Sequence, residues 1–295
     1  MINSISITTS NRYSGGGGGY VITDQLALAY ANELSSVEGY TLTNVEAESI
    51  DNFCKRIKGL DPAYANFGDA EIFNQASGLQ ISPMLGDTLG TKKYNLMDPS
   101  QATLQLTFVG GCTANYDGVT TDGVNGYINS NIIADNFPAL NSSSVCVGNV
   151  IRDSSSRWDF GSYGTSPPND GSVWRRMGTG ITSFGRSWTL DNAVGGGNQD
   201  NNKGHTWINL LTTPSAGENY HNGVLESINS TNFIPSANSI YVTPFGGVNF
   251  NGTVFSQASN TMMFGHYFAG LSATMVPVWS SIVDDFMNEL GKKTW

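Results

Sequence analysis

The chain is 295 residues long, enough to bury a full hydrophobic core in one large all-β domain or two smaller ones. Only 13% of its residues are Asp, Glu, Lys or Arg, about half the share of an ordinary soluble domain, and Asn, Ser, Thr and Gly take their place. With 39% apolar residues it has too much to bury for disorder, 35 glycines without a three-residue period exclude collagen, and a formal charge of −10 argues against nucleic acid or an anionic membrane as partner.

Residues 1–22 read as an arm. Ile5 and Ile7 alternate weakly ahead of Gly15 to Gly19, a run that serves as a hinge because glycine is free in φ and ψ. Two readings stand side by side: a leader without order, or a strand added to the sheet edge of a neighbouring subunit. Met1-Ile2-Asn3-Ser4 has no basic n-region and no apolar h-region, and no run of about 18 apolar residues occurs, so synthesis in the cytoplasm and no membrane insertion are expected.

Residues 23–100 form a small helical preface. Asp24 can cap Gln25 to Leu34, and Thr43-x-x-Glu46 is a capping box ahead of Ile50, Phe53, Cys54 and Ile57, which share one helix face. Gly59 is the stop, and a third, less regular segment runs from Ala63 to Ala76. Cys54 falls on the apolar face, where it reads as a buried small hydrophobe rather than a nucleophile. Cys54, Cys112 and Cys146 are odd in number and far apart, so neither a disulfide scaffold nor a zinc site is indicated.

Residues 101–295 change character. Short alternating apolar runs are punctuated by Gly, Asn and Asp: 104–108, 126–128, 145–147, 206–210, 239–242 and 261–264. This is the pattern of an antiparallel β-sandwich. The segment from Asp191 to Lys203 reads as an extended loop. Helical periodicity returns at Ser272, where Trp279, Ile282, Val283, Phe286 and Leu290 form a stripe ending at Gly291, with Pro277 in the first turn.

Chemistry is sparsely signalled. A retaining glucanase needs two carboxylates about 5–5.5 Å apart, and Glu218, Glu226 and Glu289 stand in unrelated contexts, while Asp284 and Asp285 are adjacent on a helix. No G-x-S-x-G elbow is present. His221 at a hairpin tip and His266 beside Tyr267 and Phe268 read as polar surface or sandwich-edge residues. No catalytic residue is therefore assigned. Trp158, Tyr163, Trp174, Arg175, Arg176 and Trp188 form a segment rich in residues that stack on sugar rings or anchor interfaces. The plainer reading is that these tryptophans simply fill a sandwich core, as aromatics at period two do in all-β proteins, with the arginines at strand ends. Asp117, Asp122 and Asn125 are the oxygen ligands on offer to Ca²⁺, without EF-hand spacing, so no metal or other cofactor is assigned.

Five stretches carry a resemblance. Tyr94-Asn95-Leu96-Met97-Asp98-Pro99, then Leu106 to Thr113 (LTFVGGCT), then Asp122 to Tyr127 (DGVNGY) resemble a run found in virion proteins of phages and prophages of Bacteroidetes. Tyr220 to Leu225 is similar to a hairpin of laminin-G and concanavalin A-like domains, and Gly270-Leu271-Ser272 with the helix after it resembles the end of those chains. The resemblance covers roughly residues 23–295. It implies a concanavalin A-like jelly roll in a structural or adhesive part of a virion, whether tail, fibre or capsid decoration. The partners it implies are other virion proteins, further copies of the chain and a host-surface glycan. An enzyme that degrades that polysaccharide is the remaining alternative.

Overall fold

The computed structural model describes residues 19–65, 80–133, 143–151, 157–163, 173–178, 181–186, 193–198, 204–212, 215–229, 242–250, 252–255, 259–268 and 271–293. The arm, apart from residues 19–22, therefore lies outside the described residues.

Helix α1 (Gln25–Glu38) opens on Asp24, whose carboxylate accepts the Leu26 and Ala27 N–H groups at 2.8 and 3.3 Å. It runs one turn beyond Leu34, because its stop is Gly39 in the left-handed region at φ +65°. Helix α2 (Asn44–Ile57) has the expected capping box: Thr43 Oγ1 accepts from the Glu46 N–H at 3.2 Å, and Glu46 Oε2 accepts from the Thr43 N–H at 3.0 Å. Of the third helical segment only a 3₁₀ turn, Pro62–Tyr64, is described; residues 66–79 are not.

After β1 (Gln80–Ser82) and the short α3 (Leu89–Lys92) come β2 (Thr107–Val109), β3 (Thr113–Asn115), β4 (Gly118–Thr120), β5 (Tyr127–Ile133) and β6 (Ser143–Ile151). The strand expected from Leu104 starts later, because Ala102–Leu104 is a 3₁₀ turn. Next are β7 (Arg157–Tyr163), β8 (Val173–Gly178), β9 (Ile181–Arg186), β10 (Ala193–Asn198), β11 (Gly204–Thr212), β12 (Ser215–His221) and β13 (Val224–Asn229). The chain closes with β14 (Val242–Phe245), β15 (Val248–Phe250), β16 (Thr253–Phe255), β17 (Thr261–Phe268) and α4 (Val276–Glu289). The last helix begins at Val276 rather than Ser272, since Ser272 to Met275 form a turn in which Ser272 O accepts from Met275 and Val276.

The strands form two sheets. The first has the order β13-β12-β11-β6-β17-β4-β3, with β1 also paired to β17; the second has the order β10-β9-β8-β7-β14-β5-β2, with β15 joined to β7 and β16 to β15. Among the described residues every pairing is antiparallel except β15 with β7. The two sheets approach each other through β11 and β8, β12 and β9, and β13 and β10. At the β17–β14 crossing, a Cβ on Gly265 would sit 3.0 Å from the Phe245 ring, so this glycine permits the close approach.

The outer side of the first sheet is covered by helices. Phe264 and His266 alternate with Gly265 and so leave the sheet on that side. Their rings meet Phe53 of α2 and Trp279 of α4, with centroid separations of 6.0 Å for Phe264–Phe53 and 5.4 Å for His266–Trp279. One hydrophobic cluster holds Ile50, Phe53, Cys54 and Ile57 of the preface with Trp279, Ile282, Val283 and Phe286 of the closing helix. Because β1 also pairs with β17, through Ile81 opposite His266, preface and strands share this core.

Two expectations are corrected here. Residues 193–198, within the expected loop, are strand β10, paired to β9 through Ala193–Arg186, Val194–Gly185 and Gly195–Phe184. The register shifts before Asn198, which is how an edge strand absorbs the Gly195 to Gly197 run. His266 is no surface residue: it is fully buried under α4.

Candidate functional site

The six Trp, Tyr and Arg candidates fall on neighbouring strands. Trp158 and Tyr163 are on β7, Trp174, Arg175 and Arg176 on β8, and Trp188 lies outside the described residues. Register separates the five that are placed. Buried Phe245 faces the first sheet across Gly265, and its partner on β7 is Phe160, whose partner on β8 is Arg175. Cross-strand partners share a face, so the Arg175 position belongs to the inner face.

The alternating positions belong to the outer face. Trp158 pairs with Arg176, and Trp174 pairs with Gly161 on one side and Arg186 on the other. A bulge between Trp158 and Phe160 keeps Trp158 in this set, and Tyr163 joins it two residues beyond Gly161. The fold thus brings Trp158, Tyr163, Trp174 and Arg176 to one sheet face, sets Arg175 on the other, and adds Arg186. Sequence reading missed Arg186; its signal is the Arg-x-Trp spacing to Trp188, legible only once β8 and β9 are known to pair.

The Ca²⁺ candidates are otherwise engaged. Asp122 Oδ1 accepts the N–H groups of Val124, Asn125 and Gly126 at 2.9, 3.0 and 2.7 Å, and these bonds hold its carboxyl below the usual range. Asn125 Oδ1 accepts from the Gly111 N–H at 2.8 Å. Asp117 lies in the exposed β3–β4 turn, its N–H on Asn115 Oδ1. Among the described residues no group of three or more His, Cys, Asp or Glu is placed to hold a metal ion.

Buried ionisable groups gather under the preface. Glu46 is fully buried and accepts from the Tyr40 hydroxyl, from Thr43 and from the Gly86 N–H at 3.1 Å. Lys92 is also fully buried and donates to the Met84 carbonyl at 2.7 Å; burial, helped by nearby Lys292, pushes its pKa down to about 7. Lys292 donates to the Tyr116 carbonyl, its ammonium 3.8 Å from that ring's centroid, and burial lowers it to about 8. These bonds tie loop to helix and strand end to C-terminus, and each amine is spent on a backbone carbonyl. Cys54 is wholly buried, which pushes its thiol well up, as an inert core residue requires.

Two of the glutamates weighed for hydrolysis, Glu218 and Glu289, have different partners. Glu218 is buried beside its own strand neighbour Tyr220, which donates to it at 2.8 Å, whereas Glu289 meets Arg56 at 2.5 Å on the helical side. The Tyr64 hydroxyl donates to Asp285, and Lys293 pairs with Asp284.

No family model matches the chain, and no curated protein matches it in sequence. Solved structures do. Trypanosoma rangeli sialidase in complex with 2,3-difluorosialic acid aligns at a TM-score of 0.50 and 13% identity, covering 71% of this chain and 33% of that one. The Ruminococcus gnavus IT-sialidase CBM40 aligns at a TM-score of 0.39 and 12% identity, over 48% of this chain and 84% of that one. The chain spans about a third of the length of the sialidase. What is shared with the sialidase, at this distance, is a β-sheet fold. No described helix is long and apolar enough to cross a membrane.

Proposed function

We propose that the chain is a bacteriophage virion protein, displayed on the particle surface as a tail, fibre or capsid decoration, whose sandwich binds a host-surface glycan. The observation that carries the binding half is the register of β7, β8 and β9, which aligns Trp158, Trp174 and Arg176 at neighbouring positions of one sheet face. Aromatic rings offer flat apolar surface to the C–H face of a sugar, and guanidinium groups offer forked donors to its oxygens. Gly161 stands opposite Trp174 and contributes no side chain to that face.

The virion half rests on the resemblance of residues 94–99, 106–113 and 122–127 to phage virion proteins. On this reading the sandwich is a concanavalin A-like jelly roll, the arm of residues 1–22 docks it to the particle or a neighbouring copy, and the work is binding rather than hydrolysis. The closing helix and the preface back the first sheet, so recognition is assigned to the second.

The experiment is a proteomic inventory of purified particles followed by an adsorption assay with a Trp174→Ala particle. We expect the chain in the particle, and at normal copy number the variant should adsorb to its host at least tenfold more slowly. Absence from the particle would remove the virion half; normal adsorption by a fully assembled variant would remove the binding half.

A further inference from the structure

The arginines of this chain are not spread at random. Five of the seven, Arg152, Arg157, Arg175, Arg176 and Arg186, lie between residues 151 and 190, where only Asp153, Asp159 and Asp170 oppose them and no lysine occurs. That stretch is net positive in a chain whose overall charge is −10. The topology then sorts the arginines. Trp174 has Arg186 opposite it on β9 and Arg176 two residues along β8, so two cations flank one indole position on the outer face of the second sheet. Strand geometry puts both within about 5–7 Å of Trp174 along the backbone.

Resting on the glycan-binding reading above, we infer from this juxtaposition of Trp174 with Arg176 and Arg186 that the saccharide bound by this face is anionic. A neutral sugar needs the aromatic platform and hydrogen-bond partners but gains little from two cationic positions flanking one indole position. Two like charges flanking one position repel, and an anion bound at that position relieves the repulsion. Carboxylates and sulfates match the guanidinium fork in charge and geometry, and such contacts are roughly twice as strong as neutral ones. The acidic remainder of the chain repels anionic polymers elsewhere and so confines them to this strip.

The test is binding of the full chain to paired polymers at low and high salt. Polygalacturonate and alginate are compared with their carboxyl-reduced forms, and carrageenan with its desulfated form. We expect at least tenfold tighter binding to the charged member of one pair, weakened by salt, and the pair that responds tells carboxylate from sulfate. Arg176→Gln and Arg186→Gln should each remove most of that difference between charged and neutral members; Trp174→Ala should weaken both members. Equal affinity for charged and neutral members overturns the anionic inference and leaves glycan binding standing. Failure to bind any polymer, by a chain with an intact cooperative unfolding transition, overturns both. The polymer comparison uses the unaltered protein, so it decides the matter even where a variant does not fold.

Discussion

The indole Nε1–H of Trp279 donates to Nδ1 of His266 at 3.2 Å, joining the closing helix to strand β17 in the middle of the first sheet. Both residues are fully buried, and their rings meet edge to face at 78°. A neutral imidazole that accepts at Nδ1 carries its proton on Nε2, so the bond selects a tautomer as well as a position.

Replacing Trp279 by Phe removes that donor from His266 and part of the ring volume beneath Phe53 and Phe264. The expected loss is about 1–3 kcal/mol of unfolding free energy from the hydrogen bond and its desolvation alone. Urea titration measures it, and an unchanged midpoint would show that the helix docks by apolar contact only.

Gly223 follows Asn222 in the hairpin between β12 and β13, and both lie in the left-handed region, at φ +77° and +49°. This is the Asn-Gly turn chemistry of a two-residue hairpin. A Cβ on Gly223 would lie 2.4 Å from Ser280 Oγ on α4. Gly223→Ala should therefore cost about 1–2 kcal/mol for the backbone conformation and more for the overlap. Adding Ser280→Gly relieves only the overlap, so the double variant should be more stable than the two single losses summed. Strict additivity in thermal unfolding would place the hairpin tip away from the helix.

Lys92 gives a pH signature. Its amine titrates near 7 in the folded protein, against about 10.4 when exposed in the unfolded chain. Between those values the unfolded state binds the proton and the folded state does not, so stability contributed by this group rises with pH from about 7 toward 10. Below pH 7 the folded protein bears a buried ammonium. Lys92→Met removes this dependence. The stability difference between variant and parent should shift in the parent's favour as pH is raised from 6 to 9.5. A difference that stays flat over that span, measured by guanidinium titration, contradicts the burial of Lys92.

Glu46 joins a helix cap to a distant loop, accepting at once from Thr43, Tyr40 and the Gly86 N–H. Glu46→Ala leaves those donors to be desolvated without it and should cost on the order of 3 kcal/mol. Thr43→Ala, which removes the cap alone, should cost about 1 kcal/mol. Equal losses for the two substitutions in calorimetry would mean that Glu46 acts only as a capping residue.

Some of this protein was legible from residues a few positions apart. The caps at Asp24 and Thr43, the apolar faces of α2 and α4, the Asn222-Gly223 turn and the buried, inert character of Cys54 follow from short-range periodicity and hydrogen bonding, which a sequence displays directly. The alternation of 206–210 and 261–264 likewise marked strands β11 and β17, although both run longer than their apolar cores.

What depended on distant partners was not legible. Residues 193–198 carry glycines instead of an apolar pattern, and only the ladder to β9 makes them a strand. His266 looked polar by type and is buried because Trp279, thirteen residues on, closes over it. Arg175 and Arg176 are neighbours in sequence and lie on opposite faces, while Arg186 joins Trp174 only through the β8–β9 register. The sequence by itself determined the local elements, since each is stabilised by contacts within one or two turns of chain. Tertiary structure alone decided which strands pair, which face each arginine shares and which polar groups go dry, because those energies arise between segments whose spacing along the chain carries no trace of their meeting.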